Sequence, residues 1–375
     1  MLPGEKPDLK SILSSAVFVF LIFGAFLFNL FSPEAEVLQS ERRRPAPWPK
    51  FSADTLLSSE FMDGFAKYAV DNFAFRDQLR TIRAASVFYL FRQTDKSGLY
   101  NDSAAGAGKF EKINEGSILR AAEKIKKLCA LFPKLDIYYS FVPDKSIYAA
   151  KNYPGFDPEK AKSILGEQLG DIIFIDLVDV LSADDFYNTD LHWDQSKISG
   201  VAERLSLAMG FFDRLEGEFV ENSAGSFFGV YTGQLALPGL PDELKYLTSD
   251  VLNGASVSYM NPRTDTWEPG PMYDLEAARG RDPYDMFLKG VQPLITIENP
   301  SAKTDRQLYF FRDSFGSSLA PLLISAYAKI TVIDMRYIDS RILEAYIGGF
   351  AGEGADVLFL YSSQILNNSN TLLIN

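Results

Sequence analysis

The chain of 375 residues contains one histidine, His192, in the segment Phe186-Tyr187-Asn188-Thr189-Asp190-Leu191-His192-Trp193. Imidazole is the side chain whose ordinary pKa suits a base near neutral pH, so a serine enzyme with a histidine base would have to use His192. Asp190 lies two positions earlier. In an extended segment the two side chains project to one face, where a carboxylate can hold the ring tautomer and stabilise its cation. Far downstream, Leu308-Tyr309-Phe310-Phe311-Arg312-Asp313-Ser314-Phe315-Gly316-Ser317-Ser318 passes from a predicted strand straight into a predicted helix. A serine on such a turn offers its hydroxyl at the C-terminal end of the strand, beside helix N-terminal N–H groups that can stabilise an oxyanion. Each piece alone has a plainer reading. His192 could be a surface histidine beside an acid, and Ser314 or Ser317 could simply cap a helix.

Other chemistries find less support. One histidine excludes a two-histidine metal site, and the 49 Asp and Glu residues are scattered without metal-ligand spacing. No Gly-rich loop precedes a Lys-Ser or Lys-Thr pair, so neither a nucleotide nor any other cofactor is implied. Cys129, the single cysteine, leaves no intrachain disulfide and no cysteine-based metal site. Glycoside hydrolysis by two carboxylates stays open, with no residues pointing to it.

The elements that must position Asp190, His192 and Ser314 are visible as short apolar runs separated by helical stretches. Predicted strands cover Asp136 to Val142, Ile172 to Leu177, Leu308 to Phe311, Ile330 to Ile333 and Val357 to Tyr361. Predicted helices cover Ile118 to Phe132, Glu159 to Leu169, Ser196 to Met209, Ser317 to Ala328 and Asp339 to Phe350. The alternation implies an α/β fold, an open, mostly parallel sheet flanked by helices, with ligands bound beyond the C-terminal strand ends. The Gly- and Pro-rich stretch of about 211–299 interrupts it and reads as an inserted loop and β region, a small subdomain over the site.

Nearer the N-terminus, Ser11 to Phe31 carries no charge and would span about 32 Å as a helix, enough to cross a bilayer. A transmembrane signal anchor at 1–32 is the expected form. A cleaved signal peptide is the alternative, but no small-x-small cleavage site follows. Charge leaves the orientation open: Lys6 and Lys10 lie on one side, and Arg42, Arg43 and Arg44 on the other. Residues 33–110 read as a Pro- and charge-rich stem to Ser52, then two helices whose apolar positions run from Phe61 to Phe75 and from Leu79 to Phe91. Residues 111–375 form the expected catalytic domain. The net charge of −12 argues against nucleic acid as a partner.

Taken in order, several motifs resemble the DHHW protein family, related to the SGNH-type proteins of alginate O-acetylation. They are Val70-Asp71-Asn72-Phe73-Ala74-Phe75-Arg76-Asp77, Val142-Pro143-Asp144-Lys145, Asp190-Leu191-His192-Trp193 and Tyr284-Asp285-Met286-Phe287-Leu288-Lys289-Gly290. Arg312-Asp313-Ser314-Phe315 and Val332-Ile333-Asp334-Met335-Arg336-Tyr337 complete the series. The resemblance implies an SGNH-like sheet, Asp190 as orienter, His192 as base and Ser314 as nucleophile. It also implies a domain anchored on the outer face of a cell membrane, where surface polymers are acylated. Gly290, Arg312 and Asp313 are carried as oxyanion or substrate-binding residues. Two departures stand out. Leu191 occupies the position between Asp and His, where its side chain faces away, and Val291 follows Gly290 where a Gly-Asn pair is common.

What the resemblance implies is a serine-dependent O-acetyltransferase, or an acetylesterase if water is the acceptor, acting on a cell-surface or exported polysaccharide. The acyl donor would come from a membrane-bound O-acyltransferase partner. One alternative is a catalytically weak polysaccharide-binding or assembly protein of the same fold. Another, resting on Arg42 to Arg44, is an esterase that faces the cytoplasm.

Overall fold

The structure, a computed structural model, describes residues 8–34, 36–215, 217–347 and 354–374. The chain divides into two compact units, Met1–Phe91 and Arg92–Asn375.

In the first unit, α1 (Leu9–Phe31) is capped by Asp8, whose side chain accepts from the Ser11 N–H. Its 23 residues are long and apolar enough to cross a membrane. Lys6, one of the two lysines counted on its N-terminal side, lies outside the described residues. Three helices follow, α2 (Ala53–Leu57), α3 (Glu60–Asp71) and α4 (Arg76–Ala85), the last running on into a π turn at Ser86–Leu90. The stretch read as an extended stem folds back onto α3 instead. Arg43 donates to both oxygens of Asp71 at 2.6 Å, the Ala46 N–H donates to the same carboxylate at 2.8 Å, and Arg76 donates to Glu41 at 2.8 Å. The paired Arg43 guanidinium holds the Asp71 carboxyl below its usual range. Trp48 packs edge-on against Phe65 and Tyr68.

The second unit opens with a small antiparallel sheet of β1 (Asp95–Lys96), β2 (Leu99–Asp102) and β3 (Gly106–Lys109). These strands fall in the segment read as helical lead-in, so the boundary drawn at 110/111 lies inside this unit. Ala104 to Gly108 has no apolar alternation to announce a strand. There follow α5 (Glu115–Cys129), β4 (Asp136–Val142), α6 (Pro158–Leu169), β5 (Ile173–Phe174) and α7 (Ser199–Ala208). Next come β6 (Val220–Phe227), α8 (Val230–Leu235), β7 (Asp242–Thr248), α9 (Asp250–Gly254), β8 (Ser256–Asn261), β9 (Thr266–Gly270) and β10 (Leu294–Glu298). The chain ends with β11 (Gln307–Arg312), α10 (Ser314–Leu323), β12 (Lys329–Ile333), α11 (Ser340–Ile347), β13 (Ala355–Ser362) and α12 (Ser363–Asn367). Positions 348–350 of the helix read to Phe350 lie outside the described residues.

The main sheet has eight strands in the order β5-β4-β13-β11-β12-β10-β8-β9. The first five run parallel, and β10, β8 and β9 extend the sheet antiparallel. Alternate strand residues feed opposite cores. Phe310 and Leu358 join residues of α7 and α10 on one face, and Tyr309, Phe311 and Phe359 join residues of α5 and α6 on the other. Every residue of β13 is buried, as expected of a parallel strand covered on both sides, and each buried Phe contributes about 2–3 kcal/mol.

Three sequence expectations are corrected. Of the strands in the 211–299 insertion, only β6 and β7 stand apart, as a two-stranded sheet of their own; β8, β9 and β10 are part of the main sheet. The predicted strand at 172–177 pairs only over Ile173–Phe174, because the Asp176 side chain accepts from the Val178 N–H at 2.9 Å and turns the backbone. The helix predicted from Ser317 begins at Ser314. At the outer edge, Pro269 in β9 withholds an N–H, which guards that strand against further pairing.

Candidate active site

Four parallel strands end at one place. β4 leads into Pro143-Asp144-Lys145, β11 into Asp313-Ser314, β12 into Asp334, and β13 ends at Ser362. The loop carrying Asp190 and His192 lies in the same region and is held from several sides. Lys145, buried after the Asp144 cap, donates from Nζ to the carbonyls of Tyr187 and Asp190, each at 2.8 Å. Asp242 in β7 accepts from the backbone N–H groups of Asn188 and Thr189 at 3.0 and 2.7 Å. The Ala107 N–H of β3 donates to the Asn188 carbonyl at 2.6 Å. Gly229 packs so tightly that a Cβ there would stand 2.3 Å from the Thr189 carbonyl carbon, which leaves room only for glycine.

Within this frame Asp190 Oδ1 lies 2.7 Å from His192 Nδ1, and His192 Nε2 lies 2.8 Å from Ser314 Oγ. The structure thus brings together the three residues singled out by type and spacing. An ionised carboxylate only accepts, so Nδ1 carries the proton and Nε2 presents a lone pair to the serine hydroxyl. Asp190 also accepts from the His192 N–H at 3.2 Å and, through Oδ2, from the Val230 N–H at 2.9 Å. The imidazole is stacked on Tyr284, with ring centroids 3.8 Å apart and planes 7° apart. Tyr284 is itself fixed, since its hydroxyl and the Trp193 Nε1–H both meet Ser318 Oγ at 2.8 Å. Burial pushes the Tyr284 phenol well above its ordinary pKa, so it stays neutral beside the histidine.

Ser314 is the first residue of α10, and Asp313 is the cap. The Ser314 N–H has no carbonyl within the helix to meet and lies at the positive end of the helix dipole. The other oxyanion and substrate candidates are placed differently. Asp313 spends one oxygen on the Phe315 N–H at 3.1 Å and the other on the Ser362 N–H at 2.7 Å. Arg312 is 1% exposed and pairs with Asp334 at 3.3 Å, and burial lowers its pKa. Both are sealed from solvent and shape the serine turn from beneath. Gly290 closes a turn in which Leu288, Lys289 and Gly290 all have positive φ, and its N–H donates to the Phe287 carbonyl at 3.2 Å. That hydrogen bond takes up the donor expected for an oxyanion.

Sequence reasoning did not single out Lys145 or Tyr284 for these tasks, although both lie inside the quoted motifs, and it missed Asp242 and Gly229. A lysine directly after a Pro-Asp at a strand end was the available signal for Lys145. Burial brings its ammonium down to about 8. Lys145→Met is expected to leave two buried carbonyls without a donor, at about 1–3 kcal/mol each. A depressed lysine pKa means that between pH 8 and the ordinary lysine range the unfolded chain binds the extra proton, so the folded state gains stability as pH rises. Denaturation of both forms checks this. The stability difference should widen in favour of wild type as pH is raised above 8.

Such a sheet, with a histidine and its carboxylate facing a serine at the C-terminal strand ends, is SGNH-like. The same fold is found in a solved DHHW family protein from Eubacterium siraeum, at 18% identity and a TM-score of 0.56, covering 74% of this chain and 94% of that one. It recurs in PatB1 from Bacillus cereus, solved alone and with a sulfonyl adduct. The adduct structure matches at 18% identity and a TM-score of 0.57, covering 72% of this chain and 95% of that one. No protein-family model and no curated protein matches the chain. The resemblance drawn from the ordered motifs therefore holds at the level of the fold.

Proposed function

We propose that the chain is a membrane-anchored enzyme that transfers acetyl groups through Ser314 to, or removes them from, a polysaccharide outside the cytoplasm. The observation that carries this reading is the unbroken line of hydrogen bonds from Asp190 through His192 to Ser314, at 2.7 and 2.8 Å. His192 Nε2 takes the Ser314 proton as Oγ attacks the acyl carbon, and the tetrahedral oxyanion is met by the Ser314 N–H. The intermediate collapses, the leaving oxygen takes the proton from Nε2, and the acetyl group stays on Ser314. A sugar hydroxyl or a water then gives its proton to Nε2 and attacks, releasing the acetylated sugar or acetate and restoring Ser314. A membrane-bound acyltransferase partner is the proposed donor, and α1 would keep the domain beside it.

Charge leaves the side of the membrane open, with Arg42 to Arg44 after α1 and Lys10 before it, so the outer-face placement rests on the resemblance drawn from the ordered motifs. The binding-protein alternative is favoured by one observation, the engagement of the Gly290 N–H with Phe287. The test is p-nitrophenyl acetate with and without an oligosaccharide acceptor. Serine-dependent nitrophenol release with acetylated sugar supports a transferase, and release with free acetate alone supports an esterase. A chain that is inert under both conditions fits the binding protein and ends the enzyme reading.

A further inference from the structure

At the opposite end of the parallel strands the sheet changes character. On the face shared with α5 and α6, one cross-strand row is apolar: Leu294, Ile333 and Phe311. The next row is Ser258, Thr296, Thr331 and Tyr309, four hydroxyls side by side, and the one after it is Glu298, Lys329 and Gln307. With Trp267 of β9 and Tyr346 of α11 these last two rows line a cleft of about 330 Å³. Trp267 is 41% exposed, and the Tyr346 hydroxyl is bonded to Asp265 at the β8–β9 turn.

A sheet face meant for a helix carries apolar residues, because burying hydroxyls costs free energy unless they are hydrogen-bonded. Here the half-buried hydroxyls of Ser258 and Thr296, with Thr331 and Tyr309 buried at the cleft floor, are bordered by an amide, a carboxylate and an ammonium, and together offer donors and acceptors in a plane. The aromatic rings add a flat apolar surface with a polar rim. This two-sided chemistry matches a pyranose ring, whose C–H face stacks on an aromatic while its equatorial hydroxyls reach the polar groups. Charge narrows the class. Glu298 and Lys329 are paired at 3.1 Å and cancel, within a chain of net charge −12, which disfavours a polyanionic uronate.

We propose that this cleft binds uncharged sugar residues of a glycan at a site separate from Ser314. β11 runs from Gln307 in the cleft to Arg312 beside Ser314, about 15–20 Å at the rise of a strand. A polymer held in the cleft would raise the local concentration of its own hydroxyls at the serine. The inference concerns binding and stands whether or not Ser314 is the nucleophile.

The experiment is calorimetric titration of the full chain carrying Ser314→Ala with neutral gluco-oligosaccharides, N-acetylglucosamine oligomers and uronate oligomers. Binding of a neutral oligomer, weakened at least tenfold by Trp267→Ala and by Lys329→Ala, is the expected result. Neither residue touches the serine, so p-nitrophenyl acetate turnover of the two variants in the Ser314 background should match wild type. Failure of every neutral oligomer to bind, binding of the uronate alone, or neutral binding indifferent to both substitutions would each overturn the proposal.

Discussion

Ser314→Ala and His192→Ala are each expected to lower ester turnover by about 10⁴- to 10⁶-fold, with the double variant no worse than the poorer single one. The reason is geometric. Ser314 Oγ is a poor nucleophile until Nε2, 2.8 Å away, can accept its proton, and the chain has no second histidine to substitute. Removing the hydroxyl or the base therefore breaks the same step. Catalysis left over would come from binding and from the Ser314 N–H. Measuring kcat for the three variants against wild type, with thermal melts to confirm folding, checks this. A loss below tenfold, or additive losses, would mean the two residues do not act as a unit.

The second large effect is expected for Asp190→Asn, at about 10³- to 10⁴-fold in kcat. Asp190 accepts on both oxygens: Oδ1 takes the His192 ring and backbone N–H groups, and Oδ2 takes the Val230 N–H. An asparagine has one acceptor and one donor to place there. With its amide NH₂ toward the ring it donates to Nδ1, which puts the imidazole proton on Nε2, facing Ser314. Turned the other way, it opposes the Val230 N–H and pushes α8 from the loop. The first placement takes the base from the serine, and the second displaces the loop that aims it. Recovery of activity would require the wrong tautomer to be harmless, and near-wild-type kcat in this variant would sink the orienting role.

The parts of the site that sequence could reveal are local ones. Asp-x-His works at a separation of two residues, and a serine at a strand-to-helix turn is announced by Leu308 to Phe311 followed by Asp313 as cap. The parallel strands were legible for a related reason. β13 and β11 are apolar on both faces, so they read as continuous runs. What stayed hidden depends on distant pairing. Tyr284 stacks on a histidine far earlier in the chain, and Asp242 holds Asn188 and Thr189 from β7. Nothing local distinguishes those residues from their neighbours. The Gly290 N–H illustrates the converse, because motif position suggested a free donor and the turn at Phe287 uses it. Strands β8 to β10 looked like an insertion because antiparallel pairing to β12 leaves no βαβ signature.

The most direct measurement is the intact mass of the chain, quenched in the first seconds of reaction with p-nitrophenyl acetate and then mapped by peptide. A single acetyl addition on the peptide holding Ser314, absent in Ser314→Ala and in His192→Ala, is the expected result. Turnover without any acetylated serine, or acetyl found equally in the Ser314→Ala chain, would contradict a nucleophilic Ser314.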